Sequence, residues 1–208
     1  KARVDPLFDE GVLGADDHVG RAEQRVRTGG VDRQGVARGG VEKKEQRMTQ
    51  ILLLCYLILL TWIILFKLQL PTDGWIDYRS VNLIPFGASV VIDGAIDFRE
   101  IFNNVWIFLP FGLYLGMLKP AWSFGRKLLA VVALSVTYEV LQYVLAIGAS
   151  DITDVITNTL GGAAGLLLFM GLFRLGKDKT HVVLNRVALV GTILIFGLVF
   201  VVLFLSTP

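Results

Sequence analysis

Polar side chains interrupt an otherwise apolar stretch in the second half of this sequence. Glu139 lies within residues 128–147, which are almost entirely apolar, and Gln142 follows it by three positions. A carboxyl group costs free energy in hydrocarbon, and an ionisable residue inside a membrane segment usually has a function. The next polar residues, at the start of another apolar stretch, are Asp151, Asp154 and Asn158. The pattern therefore indicates a polar site carried by membrane helices.

Each of these residues also has a structural interpretation. Glu139 can make a buried hydrogen bond to Gln142, to Ser135 or to an asparagine of the preceding apolar stretch. Asp151 can cap the helix that follows it, since a carboxylate before a helix start accepts hydrogen bonds from free N–H groups. Capping fits Asp154 less well, because its i+4 partner Asn158 faces inward. Asn158 itself can make an interhelical hydrogen bond, a common role worth about 0.6–2 kcal/mol.

Composition places the chain in a membrane. It has 208 residues, and 54% of them are hydrophobic. This fraction is high for a soluble domain, and the hydrophobic residues are gathered in blocks rather than spread along the chain. The net charge of +2 gives no argument for nucleic-acid binding. The single cysteine, Cys55, excludes an intrachain disulfide framework, and His18 and His181 lack ligand-spaced partners. We therefore predict no metal site and no cofactor.

Five apolar stretches have the length of membrane helices, which need about 20 residues to cross the hydrocarbon. The sequence thus predicts an all-α, polytopic membrane bundle. Pro110, inside the second stretch, should kink its helix. The five predicted spans are residues 51–70, 101–118, 128–147, 155–173 and 187–205.

The distribution of basic residues predicts the orientation. The loops 119–127 and 174–186 are rich in Lys and Arg, whereas the loop 148–154 has none. Because loops rich in Lys and Arg stay in the cytoplasm, we expect a cytoplasmic N-terminus and an outer 148–154 loop. Glu139, eleven residues into its predicted span, should lie about 16 Å along it, near the middle of the membrane.

Residues 1–47 differ from the rest. They hold half of the 20 Lys and Arg and half of the 18 Asp and Glu, and they lack apolar blocks. Because Met48 stands just before the first apolar stretch, we expect residues 1–47 to be translated upstream DNA and the native protein to start at Met48. The alternative is that residues 1–47 are a genuine disordered cytoplasmic tail. The predicted organisation is thus this segment, a membrane domain at 48–177 and a C-terminal helix at 178–208.

Glycines in the fourth span predict a packing face. Gly161 and Gly165 are four residues apart, the spacing that lets a second membrane helix approach closely. Gly112 and Gly116 repeat this spacing in the second span. We expect these glycines to be helix contacts.

Three motifs, in order, resemble signatures of the VanZ-like membrane protein family. They lie between about residues 80 and 170: Asn82-Leu83-Ile84-Pro85-Phe86, then Asn104-x-x-x-Phe108-x-Pro110-x-Gly112, then Glu139-x-x-Gln142 followed by Asp151-x-x-Asp154-x-x-x-Asn158-x-x-Gly161. The family often has an Arg shortly before the aspartates, where this chain reads Gly148-Ala149-Ser150. A buried ion pair from that position is therefore absent here.

The resemblance implies a multi-pass protein in the plasma membrane of a Gram-positive bacterium. The family's namesake is associated with reduced susceptibility to the glycopeptide antibiotic teicoplanin. Our leading hypothesis is a non-enzymatic module of the cell envelope, in contact with membrane lipid. Its outward-facing polar pocket would bind a lipid-linked wall precursor, an antibiotic or a partner protein. We expect that pocket to be lined by Asn82, Asn104, Glu139, Gln142, Asp151, Asp154 and Asn158.

Two further hypotheses use the same residues. In the first, the chain is an enzyme on a lipid-linked envelope substrate, with Glu139 as general base and Asp154 as its partner. The sequence offers no nucleophile–histidine pair to support it, although aspartates can hold Mg²⁺ together with lipid phosphates. In the second, Glu139 is the relay of a proton-coupled carrier, for which five spans without a clear inverted repeat are a poor match.

Overall fold

Five long helices form the computed structural model, which describes residues 42–65, 78–86, 91–92, 95–96 and 98–206. Each helix is long and apolar enough to cross a membrane, which confirms the predicted all-α membrane bundle. The helices are α1 (Glu42–Leu65), α2 (Arg99–Leu118), α3 (Phe124–Val144), α4 (Ile152–Gly176) and α5 (Asp178–Ser206).

The ends of the helices differ from the predicted spans. α1 begins at Glu42, before Met48, so the last residues of the 1–47 segment are helical. The origin of that segment stays a prediction, because residues 1–41 lie outside the described part of the chain, as do 66–70 of the first predicted span. α3 ends at Val144, three residues before the predicted end. Glu139 therefore lies nearer to the end of its helix than predicted.

Two short pairs of strands accompany the helices and were not predicted. β1 (Tyr78–Asn82) runs parallel to β4 (Ile147–Asp151), and β2 (Val91–Ile92) pairs with β3 (Ala95–Ile96) in antiparallel fashion. β4 fills the segment between α3 and α4 that was predicted to be a plain loop. Pairing two extended segments at the end of the bundle satisfies backbone groups that a loop would leave to water.

Glycines hold α2 and α4 in close contact. A Cβ atom on Gly161 would overlap the carbonyl oxygen of Val105, and one on Gly165 would overlap that of Leu109. Gly112 of α2 lies equally close to the backbone of α4. Only glycine permits such an approach, as in other small-residue contacts between membrane helices.

The buried core lies where α1 to α4 meet. Phe108 of α2 is fully buried, and its ring contacts Tyr138 of α3 edge to face. Leu60 of α1, Val131 of α3 and Leu166 of α4 complete the centre of the core. This packing fixes the faces of α2, α3 and α4 that carry the motif residues.

α5 packs against the bundle mainly near its start. The buried Asn185 accepts a hydrogen bond of 2.9 Å from the hydroxyl of Thr49 in α1. His181 contacts the rings of Phe169 and Phe173 in α4 edge to face. Many apolar side chains farther along α5 are exposed, as expected for a helix that faces lipid.

Candidate functional site

The parallel strands bring the first motif beside the third. Their register sets Asn82, the last residue of β1, opposite Asp151, the last residue of β4. The Asn82 side chain donates a hydrogen bond of 3.0 Å from Nδ2 to Oδ2 of Asp151. Phe86, at the end of the first motif, donates its backbone N–H to the hydroxyl of Thr153 at 2.9 Å. The first motif is thus bonded to the start of α4.

Asp151 joins this strand pair to both neighbouring helices. Its Oδ1 accepts a hydrogen bond of 2.7 Å from the backbone N–H of Thr153, which confirms the predicted cap of α4. Its own backbone N–H donates to Oε2 of Glu139 at 2.8 Å. Ser150 donates its hydroxyl to the backbone carbonyl of Glu139 at 2.7 Å. Glu139 therefore holds the strand that carries Asp151.

The partner of Glu139 differs from those predicted. Gln142, Ser135 and an asparagine of α2 were the expected partners, whereas the carboxylate accepts from the backbone of Asp151. Twelve residues separate the two groups, so helical spacing alone gave no signal for this bond. The unpredicted β4 turns back along the end of α3 and brings the backbone of Asp151 to the carboxylate.

Asn104 of the second motif reaches the same junction from α2. Its Nδ2 donates to Oδ1 of Asp154 at 2.7 Å and lies 3.3 Å from the hydroxyl of Thr157. Asp154 lies in the first turn of α4, where a negative charge is stabilised by the helix dipole. All three motifs therefore meet where β4 passes into α4.

Gln142 and Asn158 lie apart from this junction. Nε2 of Gln142 donates to the backbone carbonyl of Ile64 in α1 at 3.2 Å. Nδ2 of Asn158 donates to the hydroxyl of Ser135 in α3 at 2.9 Å. Among the described residues, neither Oε1 of Gln142 nor Oδ1 of Asn158 has a hydrogen-bond partner, and both atoms are buried. The backbone carbonyl of Ile64 can only accept, so the Gln142 amide must present its nitrogen there, which fixes the orientation of that amide.

The seven predicted pocket residues fall into two layers. Glu139, Gln142 and Asn158 are buried, and Glu139 is only 7% exposed. The other four are half-buried and accessible: Asn82, Asn104, Asp151 and Asp154. We call these four, with Glu139 beneath them, the Asp151 cluster. Sequence reasoning did not select Ser150 or Thr153, although both are polar residues within the third motif.

Glu139 lies closer to the end of its helix than predicted. It precedes Val144, the last residue of α3, by one and a half turns, which is about 8 Å along the axis. The predicted span extended the helix to Ile147, which belongs to β4, and the depth of Glu139 in the membrane stays a prediction. The Asp151 cluster therefore lies at one end of the bundle, next to the ends of the spans.

A separate apolar cleft lies between α1, α2 and α5. Its volume is about 230 Å³, and its lining includes Tyr56, Tyr114 and Ile195. Among the described residues of that lining, Pro110 alone belongs to one of the three motifs. Among the described residues, no group of three or more His, Cys, Asp or Glu side chains is placed to hold a metal ion.

Comparison with known proteins agrees with the three motifs. The VanZ/LLP1 family matches residues 53–174, more than half of the chain. The chain belongs to the VanZ/LLP1 family. Protein VanZ of Enterococcus faecium is 42% identical over 156 residues, which cover 74% of this chain and 88% of that relative. No solved structure matches the chain.

The VanZ/LLP1 match is longer than the three motifs. It begins in α1 and ends in α4, so it includes the whole Asp151 cluster and leaves α5 outside. Family membership and the five apolar helices identify a multi-pass bacterial membrane protein. The helices that carry the cluster are thus the ones shared with the family.

Proposed function

We propose that this chain binds a lipid-linked wall precursor through the Asp151 cluster, and that this binding reduces susceptibility to teicoplanin. The observation that carries the proposal is the meeting of three separate family motifs at one junction. Asn82, Asn104 and Asp154 come from three different elements and remain half-exposed there. The relationship to Protein VanZ supports the link to teicoplanin.

The chemistry of the cluster suits a peptide-bearing or sugar-bearing ligand. Carboxylate oxygens accept hydrogen bonds, and amide side chains both donate and accept them. Amide N–H and hydroxyl groups of a wall precursor match these groups, and a bond to a charged group contributes about 1.5–3 kcal/mol. The cluster lies beside the last turns of α3 and the first turn of α4, where these spans end. This position favours a ligand with a lipid tail, because the head group of such a ligand lies at the ends of the spans.

Binding is better supported than catalysis. Oε2 of Glu139 already accepts the N–H of Asp151, and Oδ1 of Asp154 already accepts the amide of Asn104. A general base must have an oxygen within reach of the proton that it removes. Both predicted catalytic carboxylates thus take part in the hydrogen-bonding framework that shapes the cluster, which a binding role requires directly.

Asn104 and its neighbour Asn103 provide a matched test. Asn104 bonds to Asp154, whereas Asn103 is exposed on another face of α2. The purified protein, in lipid nanodiscs, is titrated with a fluorescent lipid-linked wall precursor and, separately, with fluorescent teicoplanin. Asn104→Ala should weaken precursor binding about tenfold, or ~1.4 kcal/mol, because the cluster loses a hydrogen-bonding amide. Asn103→Ala should leave it unchanged.

Two outcomes would contradict the proposal. If Asn104→Ala and Asn103→Ala bound the precursor with equal affinity, the cluster would not be the binding site. Saturable binding of teicoplanin, without binding of the precursor, would reject the precursor as the ligand. The folded fraction of each variant is checked by the reactivity of Cys55, the chain's single thiol, which is only partly exposed.

A further inference from the structure

The first motif carries apolar side chains that the bundle does not cover. Leu83 is 74% exposed and Ile84 is 71% exposed, and Val81 and Phe86 are exposed as well. Loops of a protein surface seldom present several large apolar side chains in succession unless another apolar phase covers them. The segment 81–86 has no charged residue to oppose such a contact.

Hydrogen bonds hold this segment on both sides. Oδ1 of Asn82 accepts the backbone N–H of Ile84 at 3.1 Å, while its Nδ2 lies 3.1 Å from the carbonyl of the same residue. β1 before the turn is paired with β4, and Phe86, the last residue of the turn, donates its backbone N–H to Thr153. The exposed side chains therefore stay at the level of the first turn of α4.

Other exposed apolar residues lie at the same end of the helices. Phe98 and Phe102 are exposed at the start of α2, and Val144 and Leu145 are exposed at the end of α3. Because these helices have the length of membrane spans, their ends mark the boundary between hydrocarbon and water. Apolar and aromatic side chains are typical of that boundary.

We propose that the turn at residues 83–86 inserts its apolar side chains into the head-group boundary of the bilayer, beside the Asp151 cluster. The membrane is the occupant that these positions favour, because the hydrogen-bonded turn lies where the spans end. Asn82 then connects the cluster to the membrane surface. Its side chain donates a hydrogen bond to Asp151, and it also stabilises the turn whose apolar side chains enter the lipid. Insertion requires no particular ligand at Asp151.

Fluorescence of a polarity-sensitive label tests the insertion. In a Cys55→Ser background, Leu83→Cys is labelled with a nitrobenzoxadiazole dye and the full chain is reconstituted into phosphatidylcholine–phosphatidylglycerol vesicles. Lys177→Cys, in the exposed connection between α4 and α5, is the water-exposed control. Leu194→Cys, an exposed apolar position within α5, is the lipid-exposed control. Ile84→Cys repeats the measurement if the first variant does not fold.

The proposal expects label at position 83 to emit at shorter wavelength than label at 177. Iodide in the buffer should quench it several-fold less than the label at 177, while a nitroxide on the upper acyl chain of the lipid should quench it strongly. Emission and iodide quenching equal to those at 177 would overturn the proposal. Shielding from iodide without quenching by the lipid nitroxide would also overturn it, and would indicate that a protein surface covers the turn.

Discussion

The hydrogen bond between Glu139 and the backbone of Asp151 allows a direct test of whether Glu139 holds β4 against α3. Glu139→Ala removes the acceptor and leaves the N–H of Asp151 without its 2.8 Å partner. An unsatisfied, partly buried donor costs about 1–3 kcal/mol. For a chain of 208 residues, this corresponds to a fall in Tm on the order of 5 °C. Glu139→Gln keeps an amide oxygen at the same place and should lose about 1 kcal/mol at most.

Thermal unfolding in detergent, followed with a thiol-reactive dye at Cys55, measures these differences. Cys55 lies in α1, away from the variant position, and is only partly exposed in the folded chain. Val140→Ala is the control, because Val140 is the next residue of α3 and is exposed toward lipid. The Tm values of the wild type, Val140→Ala and Glu139→Gln should lie close together. The Tm of Glu139→Ala should be clearly lower than all three. If Glu139→Ala unfolded at the wild-type temperature, the carboxylate would not hold β4.

Three further predictions concern other contacts of the bundle. Gly161→Ala should reduce the yield of folded protein in detergent, because the added Cβ would overlap the backbone of α2. Gly171→Ala is the control and should fold normally, since a Cβ at that position has no other atom within 4 Å. Equal yields of the two variants would contradict the close helix contact. Asn185→Ala should lower the free energy of unfolding in a denaturing-detergent titration by about 0.6–2 kcal/mol, through loss of its bonds to α1, and an unchanged midpoint would refute this. Asp151→Ala should lower the Tm more than Asp151→Asn, since asparagine also caps helices and the lost cap costs about 0.5–2 kcal/mol; equal Tm values would exclude a stabilising cap.

The sequence was sufficient for the membrane class, the five spans, the glycine contact face and the residues of the three motifs. Hydropathy and small-residue spacing are local signals, so a single chain displays them directly. The Asn104–Asp154 bond agrees with the expectation that both residues lie at the same end of the bundle. The membrane orientation inferred from Lys and Arg stays a prediction.

The strand pair, the end of α3 and the hydrogen-bond partner of Glu139 could not be predicted. β1 and β4 are short, and Asn82 and Asp151 are 69 residues apart, so their pairing depends on how the helices pack rather than on local pattern. An apolar stretch of 20 residues also looks continuous in hydropathy even where its last part leaves the helix, as Ile147 does. The end of α3 was therefore predicted three residues too late, and the partner of Glu139 was missed because β4 was not predicted.

We propose above that the Asp151 cluster has a function beyond holding the bundle together. The most direct measurement is the teicoplanin susceptibility of a sensitive Gram-positive host that expresses the wild type, Asn104→Ala or Asn103→Ala at equal, folded abundance in the membrane. Asn104→Ala removes the amide that bonds to Asp154, whereas Asn103 is exposed on another face of α2. Wild type and Asn103→Ala should reduce susceptibility, while Asn104→Ala should return it toward the level of the empty vector. Full protection by Asn104→Ala would contradict a function of the cluster.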